Sequence, residues 1–205
     1  MTLTPSKIIC VGRNYLEHAR ELGNDVPTAP LLFLKPPTAV IADGEAIVLP
    51  PDSSRVDHEG EIGVVIGKRL RNATPADAIA GIRGIAACND VTARDLQKVD
   101  GQWTRAKGFD TFCPVGPVGD TPKDLTALEV VTRVNGQQRQ RARASEMAFP
   151  IPDILVYASR VMTLLPGDLI LTGTPAGIGP LVAGDTVEVE VVGVSRVRSP
   201  VVAAS

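Results

Sequence analysis

The chain is poor in the residues that build soft metal sites and thiol centres. Its 205 residues include two histidines and three cysteines, and no two cysteines form a C-x-x-C pair. Zinc sites usually draw four ligands from these residue types, so the composition argues against zinc. Cys88 lies near Asp90, but the sequence pairs no histidine with it. We therefore interpret Cys88, like Cys10 and Cys113, as a small buried thiol.

The chain also lacks a strong charge of either sign and a long apolar run. Its net charge of -2 leaves no basic footprint for nucleic acid or for an anionic membrane. Residues 1–7 contain no apolar core of a secretory signal, and no run approaches the length of a membrane span. Scattered cysteines in odd number are typical of a reducing compartment. We expect a cytoplasmic protein with neither a nucleic-acid nor a membrane partner.

Glycine and proline are in excess: 19 glycines and 17 prolines exceed the average of roughly 12% for the two together. This excess favours turns and short strands over long helices. The length suits one domain, residues 1–205, with a β-rich α+β architecture. The apolar patterns predict strands at 7–11, 46–49, 62–66, 82–88, 128–134, 169–172 and 187–192, helices at 14–22 and 151–165, a hairpin turn at 135–136, and an irregular segment at 27–37.

Two glutamates, Glu59 and Glu61, flank a single glycine at the start of an apolar run. Side chains alternate faces along a strand, so both carboxylates point to one face, with Ile62, Val64 and Ile66 on the other. Two buried carboxylates repel unless one is protonated or a cation lies between them, and a hard divalent ion is the natural partner. The alternative is a solvated edge strand whose glutamates keep the sheet soluble.

A third carboxylate, Asp90, follows a small apolar segment at the end of a predicted strand. Thr92 and Asp95 are spaced as a capping box and predict a helical turn directly after it. Three carboxylates without a soft ligand suit Mg²⁺ or Mn²⁺, with open positions for water or substrate oxygens. We therefore predict that Glu59, Glu61 and Asp90 hold a divalent metal.

Five further positions have a functional interpretation beside a plainer one. His18 and Glu21 share one face of a helical turn, where a carboxylate orients an imidazole as a general base, although a surface ion pair has the same spacing. Lys107 is either solvated or, beside a metal, stabilises an oxyanion. Thr174 lies in a glycine-rich turn where backbone N–H groups can approach an anion, although most such stretches are simply tight turns. The guanidinium fork of Arg13 matches a carboxylate.

Six motifs occur in a fixed order: VGRNYLEHARE (11–21), FLKP (33–36), HEGE (58–61), NDVTARD (89–95), KGFD (107–110) and TGTPAGIG (172–179). Together they resemble the fumarylacetoacetate hydrolase family, from about residue 7 to the C-terminus. The chain is similar to the acylpyruvate hydrolase and oxaloacetate decarboxylase branch, and to the isomerase/decarboxylase of homoprotocatechuate breakdown. The resemblance implies a mixed β-sandwich roll of the family's C-terminal-domain type, with few short helices and the metal at the mouth of the roll.

The resemblance also implies roles for individual residues. By it, His18 and Glu21 activate the attacking water, in a segment between Gly12 and Gly23 that orders when substrate binds. Lys107 stabilises the developing negative charge. The expected substrate-binding residues are Arg13, Tyr15, Gln97, Thr174 and, shaping its turn, Gly173.

We therefore predict a Mg²⁺- or Mn²⁺-dependent hydrolase that cleaves the C–C bond of acylpyruvate-type 2,4-dioxo acids, with oxaloacetate decarboxylation open to the same site. Short acylpyruvates come first, because no second arginine is evidently committed to a distal carboxylate, although Arg20, Arg94 or Arg105 could supply that anchor. The alternatives are the 2-hydroxyhepta-2,4-diene-1,7-dioate isomerase and 5-carboxymethyl-2-oxo-hex-3-ene-1,7-dioate decarboxylase reactions of aromatic catabolism. A non-catalytic β-sandwich stabilised by a cation is an alternative of another class.

The expected partners are a small 2-oxo acid and a second copy of the chain in a homodimer. Gly60 departs from the family pattern, in which a larger apolar residue often separates the two glutamates.

Overall fold

The computed structural model describes residues 3–21, 23 and 27–204. Short strands and turns dominate, which confirms the β-rich α+β prediction. Within this part of the chain, no helix combines the length and apolar character needed to cross a membrane. The α-helices are α1 (Leu16–Glu21), α2 (Pro75–Ala80), α3 (Arg94–Val99), α4 (Thr104–Gly108) and α5 (Ile151–Val161). The strands are β1 (Ile8–Gly12), β2 (Leu31–Lys35), β3 (Val40–Ile41), β4 (Ile47–Leu49), β5 (Val56–His58), β6 (Gly60–Ile66), β7 (Ile82–Asn89), β8 (Thr92–Ala93), β9 (Cys113–Pro114), β10 (Glu129–Val134), β11 (Gln137–Arg143), β12 (Leu169–Leu171), β13 (Gly179–Pro180), β14 (Thr186–Val191) and β15 (Ser195–Ala203).

Two five-stranded sheets contain most of the strands. The first has the order β2-β1-β12-β6-β7, and its neighbours are antiparallel except for the parallel pair of β1 and β12. The second has the order β11-β10-β14-β15-β4, with β15 and β4 parallel and the other neighbours antiparallel. A three-stranded sheet, β13-β5-β8, lies beside the start of β6 and extends the layer towards the candidate site.

The main apolar core packs residues of both large sheets against α5. From β6 it receives Ile62, Val64 and Ile66, as the alternation predicted, whereas Val65 joins a second cluster on the other face of the sheet. All of β6 is buried, because it lies between β12 and β7 and is covered on both faces. The alternative of a solvated edge strand for its glutamates is therefore wrong.

The predicted hairpin turn is confirmed. Asn135 and Gly136 join β10 to β11 with φ of 52° and 77°, as a two-residue hairpin requires.

Several other predicted boundaries are corrected by the strand pairing that the structure shows. The segment 27–37 is not wholly irregular, since β2 within it pairs with β1. Helix α1 begins at Leu16, and its predicted end at Leu22 lies outside the described residues. Strands β11 and β15 and helix α2 were not predicted.

The predicted capping box at Thr92 and Asp95 is wrong. Helix α3 begins without a side-chain cap. The Thr92 hydroxyl instead donates to the Asp90 carbonyl oxygen at 2.8 Å. Asp95 accepts hydrogen bonds from the Ser53 hydroxyl at 2.6 Å and the Ser54 N–H at 2.8 Å. The Asp95 carboxylate, which the spacing had predicted to cap the helix, thus accepts its hydrogen bonds from a loop that is distant in the sequence.

Candidate active site

Three carboxylates meet where β5, β6 and β7 come together. Glu59 lies between β5 and β6, Glu61 is in β6, and Asp90 directly follows β7. Antiparallel pairing places Glu61 opposite Cys88, and the Asp90 N–H donates to the Glu59 carbonyl oxygen at 2.8 Å. The three residues are buried, and one carboxylate oxygen from each lies within 4.8 Å of the other two. The structure therefore brings the three predicted metal ligands together.

Three cations surround these carboxylates. The Lys107 Nζ lies 2.7 Å from Glu59 Oε2 and 2.7 Å from Asp90 Oδ2. The Lys35 Nζ lies 2.8 Å from Asp90 Oδ1, and the Arg94 guanidinium pairs with Glu59 Oε1. Lys107 is only 2% exposed, so the alternative of a solvated lysine is wrong. Its side chain is committed to the carboxylate cluster.

The electrostatic balance differs among the carboxylates. Burial raises the pKa of Glu61 well above its usual value, and the nearby Asp90 and Glu59 raise it further. Burial would also raise the pKa of Glu59, but Lys107 and Arg94 outweigh it and hold that pKa well below its usual range. Burial lowers the pKa of Lys107, yet Asp90 and Glu59 outweigh it and raise that pKa. Glu61 is thus the carboxylate whose charge the protein compensates least.

The donor set fits a hard divalent cation. The Oδ1 atom of Asp90 is buried and accepts no hydrogen bond from the described residues, although Lys35 is close to it. Within the described ranges, Glu59, Glu61 and Asp90 are the one group of three or more acidic, cysteine or histidine side chains close enough to share an ion. Carboxylate oxygens are the ligands that Mg²⁺ and Mn²⁺ prefer. An ion here would offset the uncompensated charge of Glu61.

The carboxylates line a cavity of about 220 Å³ that suits a small polar molecule. Phe33 and Trp103 form an apolar part of its wall, with ring centroids 5.2 Å apart and an edge-to-face arrangement. The Lys107 Nζ lies 5.0 Å from the centroid of the Phe33 ring. The remaining lining residues are Val11, Gly12, Arg13, His18, Arg94, Gln97, Lys98, Lys107 and Thr174.

His18 and Glu21 form a hydrogen-bonded pair on α1. The His18 Nδ1 lies 3.1 Å from Glu21 Oε2, while Glu21 Oε1 accepts the Gly177 N–H at 3.1 Å. His18 lines the cavity and is only 4% exposed, so a fully solvated surface pair is excluded. The pair has the composition and geometry of an oriented general base.

The predicted substrate-binding residues take different positions. Arg13, with φ of 58°, Gln97 and Thr174 line the cavity. Gly173 instead donates its N–H to Glu61 Oε2 at 2.6 Å and, with φ of 101°, forms the turn that the sequence predicted. Of the five predicted substrate-binding residues, three therefore line the cavity, and Gly173 contacts the metal-ligand candidate Glu61 instead.

Tyr15, like Gly173, does not line this cavity. Its side chain is 2% exposed, packs in the main apolar core, and lines a separate cavity beside Leu16 and Arg20. Burial raises the pKa of its phenol. This geometry does not support a contact between Tyr15 and substrate, because the side chain packs in the apolar core and does not line the cavity.

Lys35 and Gln140 contact the site without having been predicted. Arg94, named from the sequence only as a possible anchor for a second substrate carboxylate, pairs instead with Glu59. Lys35 is the charged residue that ends an apolar strand, and Arg94 lies inside the NDVTARD motif, so each left a weak sequence signal. Gln140 left none, since it is one of several polar residues on β11. The three cysteines are buried, and burial raises the pKa of each, to about 12 for Cys113, which agrees with their interpretation as inert thiols.

Known proteins are similar to this chain in sequence and architecture. The family described as Fumarylacetoacetate (FAA) hydrolase C-terminal matches residues 7–202. The chain is 43% identical over 190 residues to the mitochondrial oxaloacetate tautomerase fahd-1 of Caenorhabditis elegans, covering 89% of this chain and 88% of that protein. It is 41% identical over 197 residues to the mitochondrial oxaloacetate decarboxylase of Dictyostelium discoideum, with coverages of 93% and 90%. The crystal structure of 5-carboxymethyl-2-hydroxymuconate delta-isomerase from Mycobacterium smegmatis matches with a TM-score of 0.92 and 49% identity, covering 99% of this chain and 81% of that chain. The β-sandwich roll expected from the resemblance is confirmed.

Proposed function

The chain belongs to the fumarylacetoacetate hydrolase family, and we propose that it is a divalent-metal-dependent enzyme that hydrolyses the C–C bond of acylpyruvate-type 2,4-dioxo acids. The observation that carries this proposal is the His18–Glu21 pair, which shares one small cavity with the three carboxylates and Lys107. A β-sandwich that used a cation only for stability would need the carboxylates, but no oriented histidine beside them.

Glu59, Glu61 and Asp90 would hold Mg²⁺ or Mn²⁺. When bound, the ion supplies Lewis acidity, which polarises the 2-oxo group and offsets the charge of an enolate. Lys35, Lys107 and Arg94 already match the three carboxylates in number. A loaded cavity therefore has net positive charge and suits an anionic substrate.

The chain's own residues account for the hydrolytic steps. Glu21 engages the Nδ1 of His18, which leaves Nε2 to take a proton from water as the water oxygen adds to the distal carbonyl carbon. The Lys107 ammonium stabilises the resulting oxyanion. The C–C bond then breaks, its electron pair forms the enolate of pyruvate, and protonation of the methylene carbon gives pyruvate beside a carboxylic acid. Arg13 and backbone N–H groups of the turn that contains Thr174 bind the substrate carboxylate.

Decarboxylation or isomerisation of a dicarboxylic 2-oxo acid is the second candidate. Two of the relatives described above are named for oxaloacetate and one structural neighbour for a muconate isomerase. The cavity supports it as well, because Lys98 on α3 lines it together with Arg13 and supplies a second cation for a distal carboxylate. These reactions pass through an enol or enolate without an activated water, so they depend less on His18.

A substrate panel tests the proposal. Protein treated with a chelator and reloaded with Mg²⁺ or Mn²⁺ is assayed with acetylpyruvate, fumarylpyruvate, oxaloacetate and 2-hydroxyhepta-2,4-dienedioate. We expect the largest kcat/KM for acetylpyruvate and no turnover before reloading. A far larger kcat/KM for oxaloacetate or for 2-hydroxyhepta-2,4-dienedioate, without C–C hydrolysis, would move the assignment to the second candidate. Full activity in metal-free protein would exclude both candidates.

Variants on α1 separate the two reactions. His18→Ala and Glu21→Gln should lower acylpyruvate hydrolysis, by about a hundredfold or more for the histidine, and affect oxaloacetate decarboxylation less. Glu17→Gln is the matched control, because Glu17 lies on the same helix but lines the separate cavity. Equal losses in both reactions would mean that His18 serves binding and not water activation.

A further inference from the structure

We propose that Gln140 is a positioning residue that fixes the spacing of the metal-ligand candidates Glu59 and Glu61, an inference that rests on the proposed metal-dependent function. Gln140 lies on β11, in the other large sheet from the glutamates, and is 1% exposed. Gln138 on the same strand is exposed. The buried amide of Gln140 therefore reaches across to the strand that bears the carboxylates.

The reason lies in the backbone of Gly60, the residue between the two glutamates. Strand β12 pairs with one edge of β6 only as far as Gly63. Beyond it on that edge, the Thr172 hydroxyl donates to the Ile62 carbonyl oxygen. Farther along that edge, the N–H and C=O of Gly60 would be buried without partners. An unpaired backbone group in the interior is costly, so other groups must satisfy them.

Gln140 and Thr174 provide these partners in a closed ring. The Gly60 N–H donates to Gln140 Oε1 at 2.9 Å. The Gln140 Nε2 donates to Thr174 Oγ1 at 2.8 Å, and the Thr174 hydroxyl donates to the Gly60 carbonyl oxygen at 3.0 Å. Each member both donates and accepts, and all three are buried. In the low dielectric of the interior such bonds reinforce one another.

The ring constrains the two peptide groups that flank Gly60. Those peptides carry Glu59 on one side and Glu61 on the other. Glycine has the freest backbone of all residues, so its φ and ψ would otherwise be the softest link between the two ligands. No bulkier residue can stiffen this position, since a Cβ on Gly60 would lie 1.9 Å from Thr132 Oγ1. Gln140 thus supplies by hydrogen bonds the rigidity that the glycine lacks.

The same hydrogen-bonded ring connects the metal-ligand candidates to the loop after β12, which contains Thr174 and Pro175. Gln140 Nε2 also lies 2.8 Å from the Pro175 carbonyl oxygen, so the amide holds two consecutive residues of the loop after β12. Thr174 lines the cavity. Loss of the amide should therefore weaken metal binding and also raise the KM for substrate.

Calorimetric titration of the metal-free full chain with Mn²⁺ tests the proposal. Gln140→Met keeps the approximate length of the side chain but removes the amide, and Thr174→Val removes the hydroxyl. We expect each to weaken Mn²⁺ binding by about tenfold or more, the usual effect of losing a group that orients metal ligands. Gln138→Met is the matched control and should stay within about twofold of the wild type. If the ring acts as a unit, the double variant should bind at most about threefold more weakly than the worse single variant.

The outcomes separate this inference from the proposed function. Gln140→Met that is folded by its metal-free melting curve and binds Mn²⁺ within about twofold of the wild type would overturn the role of Gln140 only. If Gln140→Met does not fold, Thr174→Val decides, and unchanged Mn²⁺ affinity in it overturns the ring. A wild-type protein that binds no Mn²⁺ would overturn the metal-dependent function and, with it, this inference.

Discussion

Replacing Glu61 with glutamine should stabilise the metal-free protein while abolishing metal binding. The amide of Glu61→Gln can still accept the Gly173 N–H that Glu61 Oε2 accepts at 2.6 Å. What the substitution removes is a buried charge beside two others of the same sign. The variant therefore separates the cost of assembling the carboxylates from the benefit they give when an ion is bound.

The size of the gain follows from the geometry. Two unit charges within 4.8 Å of each other repel by on the order of 3 kcal/mol at an effective dielectric constant of 20. Glu61 faces such repulsion from both Asp90 and Glu59, and Lys107 offsets part of it. We expect the free energy of unfolding of metal-free Glu61→Gln to exceed that of the wild type by about 1–3 kcal/mol at pH 8.

The gain should depend on pH in a defined direction. Burial, Asp90 and Glu59 raise the folded-state pKa of Glu61 above its unfolded value of about 4.3. The metal-free wild type is therefore free of this penalty below that pH and loses stability as the pH rises towards the folded-state pKa. Glu61→Gln lacks the group, so its advantage should be small near pH 4 and grow with pH.

Metal should reverse the order of the two proteins. An ion present at a thousand times its Kd stabilises the protein that binds it by about 4.1 kcal/mol, a gain that Glu61→Gln should not show. Urea unfolding with chelator and with Mn²⁺, at pH 4.5 and pH 8, measures both effects. Glu146→Gln is the control, because exposed Glu146 likewise accepts one backbone N–H, from Arg143. A metal-free Glu61→Gln less stable than the wild type at pH 8 would refute the reasoning.

Two further predictions concern stability. Gly60→Ala should destabilise the protein by at least about 1–3 kcal/mol, because its Cβ would lie 1.9 Å from Thr132 Oγ1; adding Thr132→Ala should recover over half of the loss in urea unfolding, and no recovery would contradict the predicted clash. Asp168→Asn should cost about 1–3 kcal/mol at pH 7, because buried Asp168 pairs with Lys7 and accepts from Ser6. Although burial opposes it, these partners lower the pKa of Asp168, so its stabilisation is present above the unfolded pKa of about 3.9 and is lost as the pH falls through the folded value. Melting temperatures of wild type and Asp168→Asn should therefore converge at low pH, and a constant difference down to pH 2 would contradict the assignment.

Local periodicity was enough to find the carboxylates. Glu59 and Glu61 share a face because strand side chains alternate, and Asp90 follows the end of a strand recognisable from its apolar run. The spacing of His18 and Glu21 likewise depends only on helical geometry. These residues were accessible because each relation spans a few positions of the chain.

The remaining contacts depend on pairing across the fold. Lys35 reaches Asp90 from another strand, and its place at the end of an apolar strand is only a weak local signal. Gln140 reaches Gly60 across 80 positions of sequence, and no local pattern marks it. Tyr15 shows the opposite relation: it lies next to residues of the site in sequence, but its ring packs in the core. Strand β15 was missed because it contains Pro200, and a proline usually argues against a strand.

Glu21 divides its two carboxylate oxygens between attachment and chemistry. One oxygen accepts the Gly177 N–H and so fastens α1 to the loop after β12, while the other orients His18. A helix of six residues has little stability of its own, so this fastening matters to its position. Because His18 and Glu21 lie on the same helix, loss of the Gly177 contact would move them together. The imidazole would keep its orienting carboxylate but would lose its fixed position relative to the three buried carboxylates, so the Gly177 contact sets where the pair lies and the helix sets how it is oriented.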